Sequence, residues 1–211
     1  MVRMTAAKER QTEQRLARRA EALDAAMVLF STKGFAGTTL ADVAKAIGVG
    51  APALYYYFAS KEALLFAGLE RVMVKLNAAL DAALVAENGD PALRLRALVV
   101  AQVIEEARAV DTMPMINSYL YGALRNAAHF SPDQIDRLRV LQRHIVDLYR
   151  ALLSEGQALG VFRVLDITPT AFAILGLAQY VSSWYRPGTG RMELSAIADH
   201  HADLALRGVL A

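Results

Sequence analysis

Three consecutive tyrosines, Tyr55, Tyr56 and Tyr57, could contact a partner that carries phosphate groups. Successive residues on a helix point in different directions, so at least one of the three rings must face away from any core. A tyrosine hydroxyl can donate a hydrogen bond to a phosphate oxygen while its ring packs on a sugar. Leu54 and Phe58 flank the tyrosines four residues apart, and we expect these two side chains to face the core.

The basic residues are concentrated in the first part of the chain. Residues 1–61 contain nine Lys or Arg and five Asp or Glu, a net charge of +4, whereas the remaining residues have a net charge of −2. Lys61 lies near the start of the next helix, where its ammonium adds to the positive end of the helix dipole. A cationic module is the pattern expected for phosphate binding, although charge alone fits a solubilising basic segment equally well.

The tyrosines and Lys61 are positioned by short helices with a glycine turn between them. Thr39 lies three residues before Asp42, a variant of the capping box, and predicts the start of a helix over 40–47. Gly48 ends that helix, and a second short helix is predicted over 51–58, with a proline in its first turn. Two short helices joined by a glycine-containing turn are typical of a helix-turn-helix unit.

Helical spacing of apolar residues extends over most of the chain, and no alternating apolar and polar run predicts a strand. The predicted fold class is therefore all-α, with an N-terminal three-helix domain and a larger C-terminal helical domain. Besides the two short helices, helices are predicted over 16–30, 60–86, 91–109, 116–127, 132–158, 168–185 and 192–208, with Ser60, Asp90 and Ser131 as N-caps. The predicted domains are a basic N-terminal arm over 1–15, a helix-turn-helix domain over 16–64 and a helical body over 65–211.

Several classes of protein are excluded by composition. The sequence contains no cysteine, which excludes disulfides, thiolate catalysis, zinc fingers and iron–sulfur clusters. The basic N-terminal segment lacks the apolar core of a secretory signal, so we expect a cytoplasmic protein. The apolar stretch 167–185 is nearly long enough to cross a bilayer, but its polar residues favour a buried helix and no membrane partner.

Neither a metal site nor an enzyme is predicted. His200 and His201 are adjacent, so on a helix they diverge by about 100° and cannot readily chelate one ion. No nucleophile elbow, Walker sequence or GxGxxG fingerprint is present. We therefore expect a protein that is not an enzyme and holds no metal or cofactor.

The N-terminal sequence resembles the DNA-binding domain of the TetR family of bacterial transcriptional regulators. The resemblance spans roughly 17–65 and rests on the following motifs: Thr38-Thr39, Val43-Ala44, Gly48-Val49, Leu54-Tyr55-x-Tyr57-Phe58 and Lys61-Glu62-x-Leu64. It implies that double-stranded operator DNA is a partner.

The resemblance also assigns roles to individual residues. It implies that Thr39 caps its helix and contacts phosphate, and that Tyr55, Tyr57 and Lys61 hold the DNA backbone. The residues placed at the base edges are Ala51, Pro52 and Ala53. These three offer no polar side chain for bidentate base reading, so we expect sequence preference to depend on Tyr56, on Thr38 and Thr39, on the arginine-rich arm and on DNA shape.

The C-terminal sequence resembles TetR-family repressors that control fatty-acid and sterol breakdown. The motifs are Trp184-Tyr185-Arg186-Pro187-Gly188, Ile197-Ala198-Asp199 and Leu204-x-x-Arg207-Gly208. The resemblance implies acyl-CoA effectors and a homodimer whose last two long helices pair with those of a second copy. The residues predicted for that interface are Phe172, Leu175, Gln179, Trp184 and Leu204.

A candidate effector site surrounds the helix that Pro114 interrupts. The residues predicted to line it are Met113, Ile116, Tyr119, Leu120 and Arg125, although Met and aromatic residues at helical spacing fit a plain core as well. The predicted function is a cytoplasmic, homodimeric repressor released from a palindromic operator by a hydrophobic small molecule, an acyl-CoA being one candidate. One alternative is a regulator of the multidrug type, in which Glu105, Glu106 and Asp111 face a lipophilic cation. Another is a helical carrier or enzyme whose basic end is incidental.

Overall fold

The structure is a computed structural model that describes residues 2–122, 129–164, 166–189 and 192–211, with side chains from residue 11 onward. These residues form ten helices: α1 (Val2–Lys33), α2 (Leu40–Ala46), α3 (Ala51–Tyr57), α4 (Lys61–Ala86), α5 (Pro91–Arg108), α6 (Met113–Leu120), α7 (Pro132–Ala158), α8 (Ile167–Gln179), α9 (Val181–Trp184) and α10 (Leu194–Val209). The β-type pairing within the described chain is one isolated bridge between Phe162 and Leu210. The predicted all-α class is confirmed.

The chain divides into two compact units. The first contains Met1–Arg71 with Ala127–Ser131, and the second contains Val72–Asn126 with Pro132–Ala211. Helix α4 contributes residues to both units. The sequence analysis assigned 127–131 to the C-terminal domain, whereas the described residues 129–131 belong to the first unit.

The first unit is a three-helix core closed by the start of α4. Its buried apolar side chains come from each helix: Leu23, Met27 and Phe30 from α1, Leu40 and Val43 from α2, Leu54 from α3, and Leu64, Leu65 and Leu69 from α4. Gly48 has a φ of 68°, a left-handed conformation that turns the chain between α2 and α3 at little cost in a residue without Cβ. At Gly68 a Cβ would collide with the Met27 side chain, so the glycine allows α1 and α4 to pack closely.

The predicted helix starts at Ser60 and Asp90 are confirmed. The Ser60 hydroxyl accepts a hydrogen bond from the Ala63 amide at 3.1 Å, and Asp90 accepts one from the Ala92 amide at 2.8 Å. Other boundaries differ from the sequence analysis. The basic segment 1–15, predicted as an arm, is part of α1, while α6 begins before Pro114 because proline is compatible with the first turn of a helix.

The second unit is built around α5, which contacts α7, α8, α9 and α10. Its leucines and valines at helical spacing, Leu95, Leu98, Val99 and Val103, are fully buried. Arg96 of α5 forms ion pairs with Asp199, at 2.8 Å, and with Asp203 of α10. These pairs cross the outer edge of an otherwise apolar α5–α10 contact and help to set its register.

The apolar stretch 167–185 is divided between α8 and α9, which meet at Tyr180. Among the described helices none combines the length and the apolar character needed to cross a bilayer.

Candidate functional site

Helix α3 presents two tyrosines to the surface and anchors itself with its other face. Leu54 and Phe58 are buried in the first unit, as predicted from their spacing. Tyr55 is 58% exposed and Tyr56 is 71% exposed, which confirms that the tyrosine run cannot face one core. Tyr57 is half-buried, and its ring meets the Tyr56 ring edge-on with the centroids 5.3 Å apart.

The first turn of α3 is as exposed as the sequence analysis requires for residues near DNA bases. Pro52 and Ala53 are exposed, and Ala51 is half-buried. The Ala53 amide donates a hydrogen bond to the Gly50 carbonyl at 3.0 Å, so this turn is closed by the backbone alone. A smooth, small-side-chain turn of this kind can approach a groove floor closely but can read bases only through methyl contacts.

A groove of about 850 Å³ lies between α1 and α3. The residues that line it are Gln11, Gln14, Arg15, Ala17, Arg18 and Glu21 from α1, with Ala53, Tyr56 and Tyr57 from α3. Arg18 forms an exposed ion pair with Glu21 at 2.8 Å. Guanidinium groups of α1 therefore lie beside the exposed ring of Tyr56, an arrangement that suits contact with sugar and phosphate.

The sequence analysis missed this groove because it treated the basic segment as an arm. The available signal was the position of Arg15 and Arg18 one turn apart on a helical pattern, which places both side chains on one face. Arg19 takes a different position, with its guanidinium 5.0 Å from the centre of the Phe58 ring.

The capping box predicted for α2 is present. The Asp42 amide donates to the Thr39 hydroxyl at 3.1 Å, and the Asp42 carboxylate accepts from the Thr39 amide at 2.8 Å and from its hydroxyl at 2.7 Å. The side-chain and backbone hydrogen bonds from Thr39 lower the pKa of Asp42. Because the Thr39 hydroxyl proton is donated to Asp42, a phosphate contact by this hydroxyl requires that bond to break.

Thr38 cannot act as a DNA contact, and the prediction for its side chain is wrong. The residue is fully buried, and its hydroxyl lies 2.9 Å from the Gly34 carbonyl and 3.2 Å from the Leu29 carbonyl, to which it donates. The hydroxyl stabilises the end of α1, where carbonyl groups lack helical partners. Sequence reasoning could not separate the two adjacent threonines, because both fit a helix start.

Lys61 has a partner within the first unit. Its ammonium donates a hydrogen bond to the Phe35 carbonyl at 2.8 Å and lies 4.3 Å from the centre of the Phe35 ring. The side chain is only half-buried, and an ammonium has three donors, so a phosphate contact remains geometrically compatible with this position. The predicted DNA contact by Lys61 stays a prediction.

The four described residues of the predicted effector site lie on α6. Met113, Ile116, Tyr119 and Leu120 are all buried, and Arg125 lies outside the described residues. Of the acidic residues considered for a cation, Glu105 is paired with Lys75 at 3.1 Å and with Arg108 at 2.8 Å. Whether the α6 residues line a ligand site or only form a core stays a prediction.

The surface formed by α8, α9 and α10 exposes several large apolar side chains. Phe172 is 53% exposed, and Trp184 and Leu204 are each nearly half exposed, so all three are available to a second copy. Gln179 is half-buried. The predicted role of Leu175 is wrong, since this side chain is buried in the core of its own unit.

The two adjacent histidines have different surroundings. His201 is buried, its Nδ1 lies 2.8 Å from the Ile197 carbonyl, and its ring stacks on Trp184 with the centroids 6.2 Å apart, whereas His200 is exposed. No group of three or more His, Cys, Asp or Glu side chains that could hold a metal ion occurs within the residues that the structure describes.

Two family models match this chain. The model for the N-terminal domain, bacterial regulatory proteins of the tetR family, matches residues 22–67. A model for the tetracyclin repressor-like C-terminal domain matches residues 88–209, which is more than half of the chain. The chain belongs to the TetR family. The resemblance recognised from the motifs is thereby confirmed, and this TetR-family chain is a DNA-binding transcriptional regulator rather than an enzyme.

Related TetR-family proteins match over nearly their whole length. The HTH-type transcriptional repressor NicS of Pseudomonas putida is 30% identical over 205 residues, which covers 89% of this chain and 90% of NicS. The HTH-type transcriptional repressor KstR2 of Rhodococcus jostii is 28% identical over 193 residues, 91% of each chain. The structure of the ketosteroid transcriptional regulator KstR2 of Mycobacterium tuberculosis matches with a TM-score of 0.78 at 25% identity and covers 92% of this chain and 95% of that one.

Proposed function

We propose that this TetR-family protein is a cytoplasmic, homodimeric repressor that a hydrophobic small molecule releases from a palindromic operator. The observation that carries the proposal is the groove where Tyr56 of α3 lies beside Arg15 and Arg18 of α1. Exposed aromatic hydroxyls and guanidinium groups are donors for phosphate oxygens, and the smooth turn at Pro52 and Ala53 allows close approach to a groove of the duplex.

A palindromic operator requires two copies related by a two-fold axis. In this proposal each copy places α3 in the major groove, and the two half-sites are about 34 Å apart. The exposed Phe172, Trp184 and Leu204 supply an apolar surface that a second copy would cover. Such an interface is isologous, because the same patch on each copy contacts its counterpart.

The effector is proposed to bind the second unit. Helix α4 has residues in both units, so a change that an effector favours in the second unit involves a helix that also closes the core of the first. An effector can shift the DNA-binding equilibrium only by its differential affinity for the two conformers. An acyl-CoA is one candidate, and the relative described as a ketosteroid regulator also supports an apolar effector.

A lipophilic cation is the second candidate effector. It is favoured by one observation, the fully buried carboxyl group of Glu106 in the second unit. A buried carboxylate can pair with a cation whose other parts are apolar. The carrier or enzyme alternative has no comparable support, since the family is one of DNA-binding regulators.

The salt dependence of DNA binding tests the proposed interface. A double variant Arg15→Ala/Arg18→Ala should lower affinity for DNA from the upstream region of the protein's own gene. Each phosphate contact contributes about 0.9 to the slope of log K against log salt, so the slope should fall by about 0.9 to 1.8. Fluorescence anisotropy at several salt concentrations measures both quantities.

A matched double variant separates the interface from overall charge. Arg139→Ala/Arg143→Ala removes the same charge from exposed positions of α7 and should leave the slope unchanged. Equal slopes in the two double variants would show that α1 does not contact the DNA backbone.

A further inference from the structure

A cluster of polar side chains lies inside the second unit. Gln102 and Glu106 come from α5, and both are fully buried. The Tyr149 hydroxyl of α7 donates to the Gln102 carbonyl oxygen at 2.7 Å, and the Asn117 amide of α6 donates to the Glu106 Oε2 at 3.3 Å. Ser182 of α9 adds a further polar group beside Glu106.

Two atoms of this cluster have no hydrogen-bond partner, the Nε2 of Gln102 and the Oε1 of Glu106. A buried polar atom without a partner costs roughly 1–3 kcal/mol, which is why such atoms are rare in folded proteins. Gln102 and Glu106 are four residues apart on one helix, so their side chains lie on the same face. The pair of unpartnered atoms therefore points to a ligand that supplies the missing hydrogen bonds.

The charge state of Glu106 decides what kind of ligand fits. The described cations near it on the chain, Lys75 and Arg108, are paired with Glu105. A buried carboxyl group that lacks a cation is stable as the neutral acid, and burial raises the pKa of Glu106 to about 8, although hydrogen bonds from Asn117 and Ser182 lower it. Since Oε2 accepts from Asn117, the proton of the acid belongs on Oε1.

At neutral pH the cluster therefore presents two unused donors, the acid O–H of Glu106 and the amide N–H of Gln102. The titratable groups that interact with Glu106 are Tyr121 and Tyr149. Burial and the neighbouring Glu106 raise the pKa of each, to about 12 for Tyr121, so both are neutral across the physiological range. The partners from α6 and α9, Asn117 and Ser182, carry no charge.

We propose that Gln102 and Glu106 bind the carbonyl oxygen of an otherwise apolar effector, with the Glu106 acid and the Gln102 amide as its two donors. This inference rests on the proposed function and specifies its effector. Asn117, which holds the Glu106 carboxyl group, lies on α6 between Ile116 and Tyr119 of the proposed effector site. Ketones and thioesters both have the required oxygen, whereas a lipophilic cation lacks it.

The test compares three probes of one shape: cyclooctanone, cyclooctane and cyclooctylamine. Binding to the full-length protein is measured by calorimetry and by the shift in melting temperature. Cyclooctanone should bind more tightly than the other two. Its affinity should fall about tenfold from pH 7 to pH 9, because with a pKa of about 8 the acid fraction of Glu106 falls from about nine tenths to about one tenth.

Two variants assign the pH dependence to Glu106. Glu106→Gln keeps a neutral donor of the same shape, so cyclooctanone should bind with an affinity that no longer depends on pH. Glu105→Gln removes the adjacent carboxylate, which is paired outside the cluster, and should keep the wild-type pH profile. The melting temperature of each variant without probe verifies that it folds.

Three results would overturn the inference: no binding of cyclooctanone, equal binding of cyclooctanone and cyclooctane, or preferential binding of cyclooctylamine that rises with pH and is lost in Glu106→Gln. The last result would assign the cluster to a cation. Operator binding without any probe is measured in parallel. Its absence would contradict the proposed function but not the carbonyl site, and its presence with a failed probe test would contradict the carbonyl site alone.

Discussion

The ammonium of Lys61 donates a hydrogen bond to the carbonyl of Phe35 at 2.8 Å and lies 4.3 Å from the centre of its ring. The same ring packs against Phe30 at 5.3 Å and His129 at 4.6 Å between centroids. Phe35 thus joins the end of α1, the start of α4 and the segment before α7 within the first unit. Lys61 stabilises this junction, whatever it contributes to DNA binding.

We therefore expect Lys61→Met to lower the stability of the protein by about 1 kcal/mol, the usual value for a lost hydrogen bond in a partly exposed position. Urea unfolding followed by circular dichroism measures the change. Lys45→Met, at an exposed position of α2, is the matched control and should have little effect. Equal stabilities of the two variants would rule out a structural role for the Lys61 ammonium.

Tyr56→Phe should weaken operator binding about tenfold, because the ring remains in the α1–α3 groove while the phosphate loses one hydrogen-bond donor. Anisotropy titration at a fixed salt concentration measures the affinity. Tyr185→Phe removes a hydroxyl from the second unit and should bind as the wild type does. If both variants bind equally well, the Tyr56 hydroxyl makes no contact with the operator.

The capping box of α2 predicts a change in stability with pH. Hydrogen bonds from Thr39 lower the pKa of Asp42 below its ordinary value of 3.8. A carboxyl group with a lowered pKa stabilises the fold fully above the unfolded value, and the contribution is lost as pH falls through the folded value. Melting temperatures from pH 5 to pH 2.5 should therefore fall more steeply in the wild type than in Asp42→Asn, and parallel curves would contradict this role.

The exposed apolar surface of α8–α10 predicts that Leu204→Asp shifts the protein from dimer to monomer, since a charge would be buried without a partner at the interface. Light scattering after size-exclusion chromatography measures the mass. Val85→Asp is the matched control, because Val85 is even more exposed but lies on α4. A dimer that persists in Leu204→Asp would exclude this surface as the interface.

The sequence predicted the helices well where local signals were strong. Ser60 and Asp90 were recognised as caps because they precede helical periodicity, and Leu54 and Phe58 were recognised as core because they are four residues apart. Both signals depend only on near neighbours along the chain.

Tertiary contacts decided the features that the sequence analysis missed. Thr38 and Thr39 look alike in sequence, yet Thr38 donates to carbonyls near the end of α1 and only Thr39 caps α2. Leu175 fits an apolar interface by type, but its direction on α8 turns it inward. The polar cluster around Gln102 and Glu106 joins α5, α6 and α7, and no spacing along the chain indicates that these helices meet.

The most direct test of the central claim is a titration of labelled DNA from the region upstream of the protein's own gene, in roughly a thousandfold excess of unrelated competitor DNA. We predict a complex that survives the competitor, contains two protomers and protects a palindrome with half-sites about one helical turn apart. A complex that disappears with competitor, or that protects no palindromic sequence, would contradict the assignment of this protein as an operator-binding repressor.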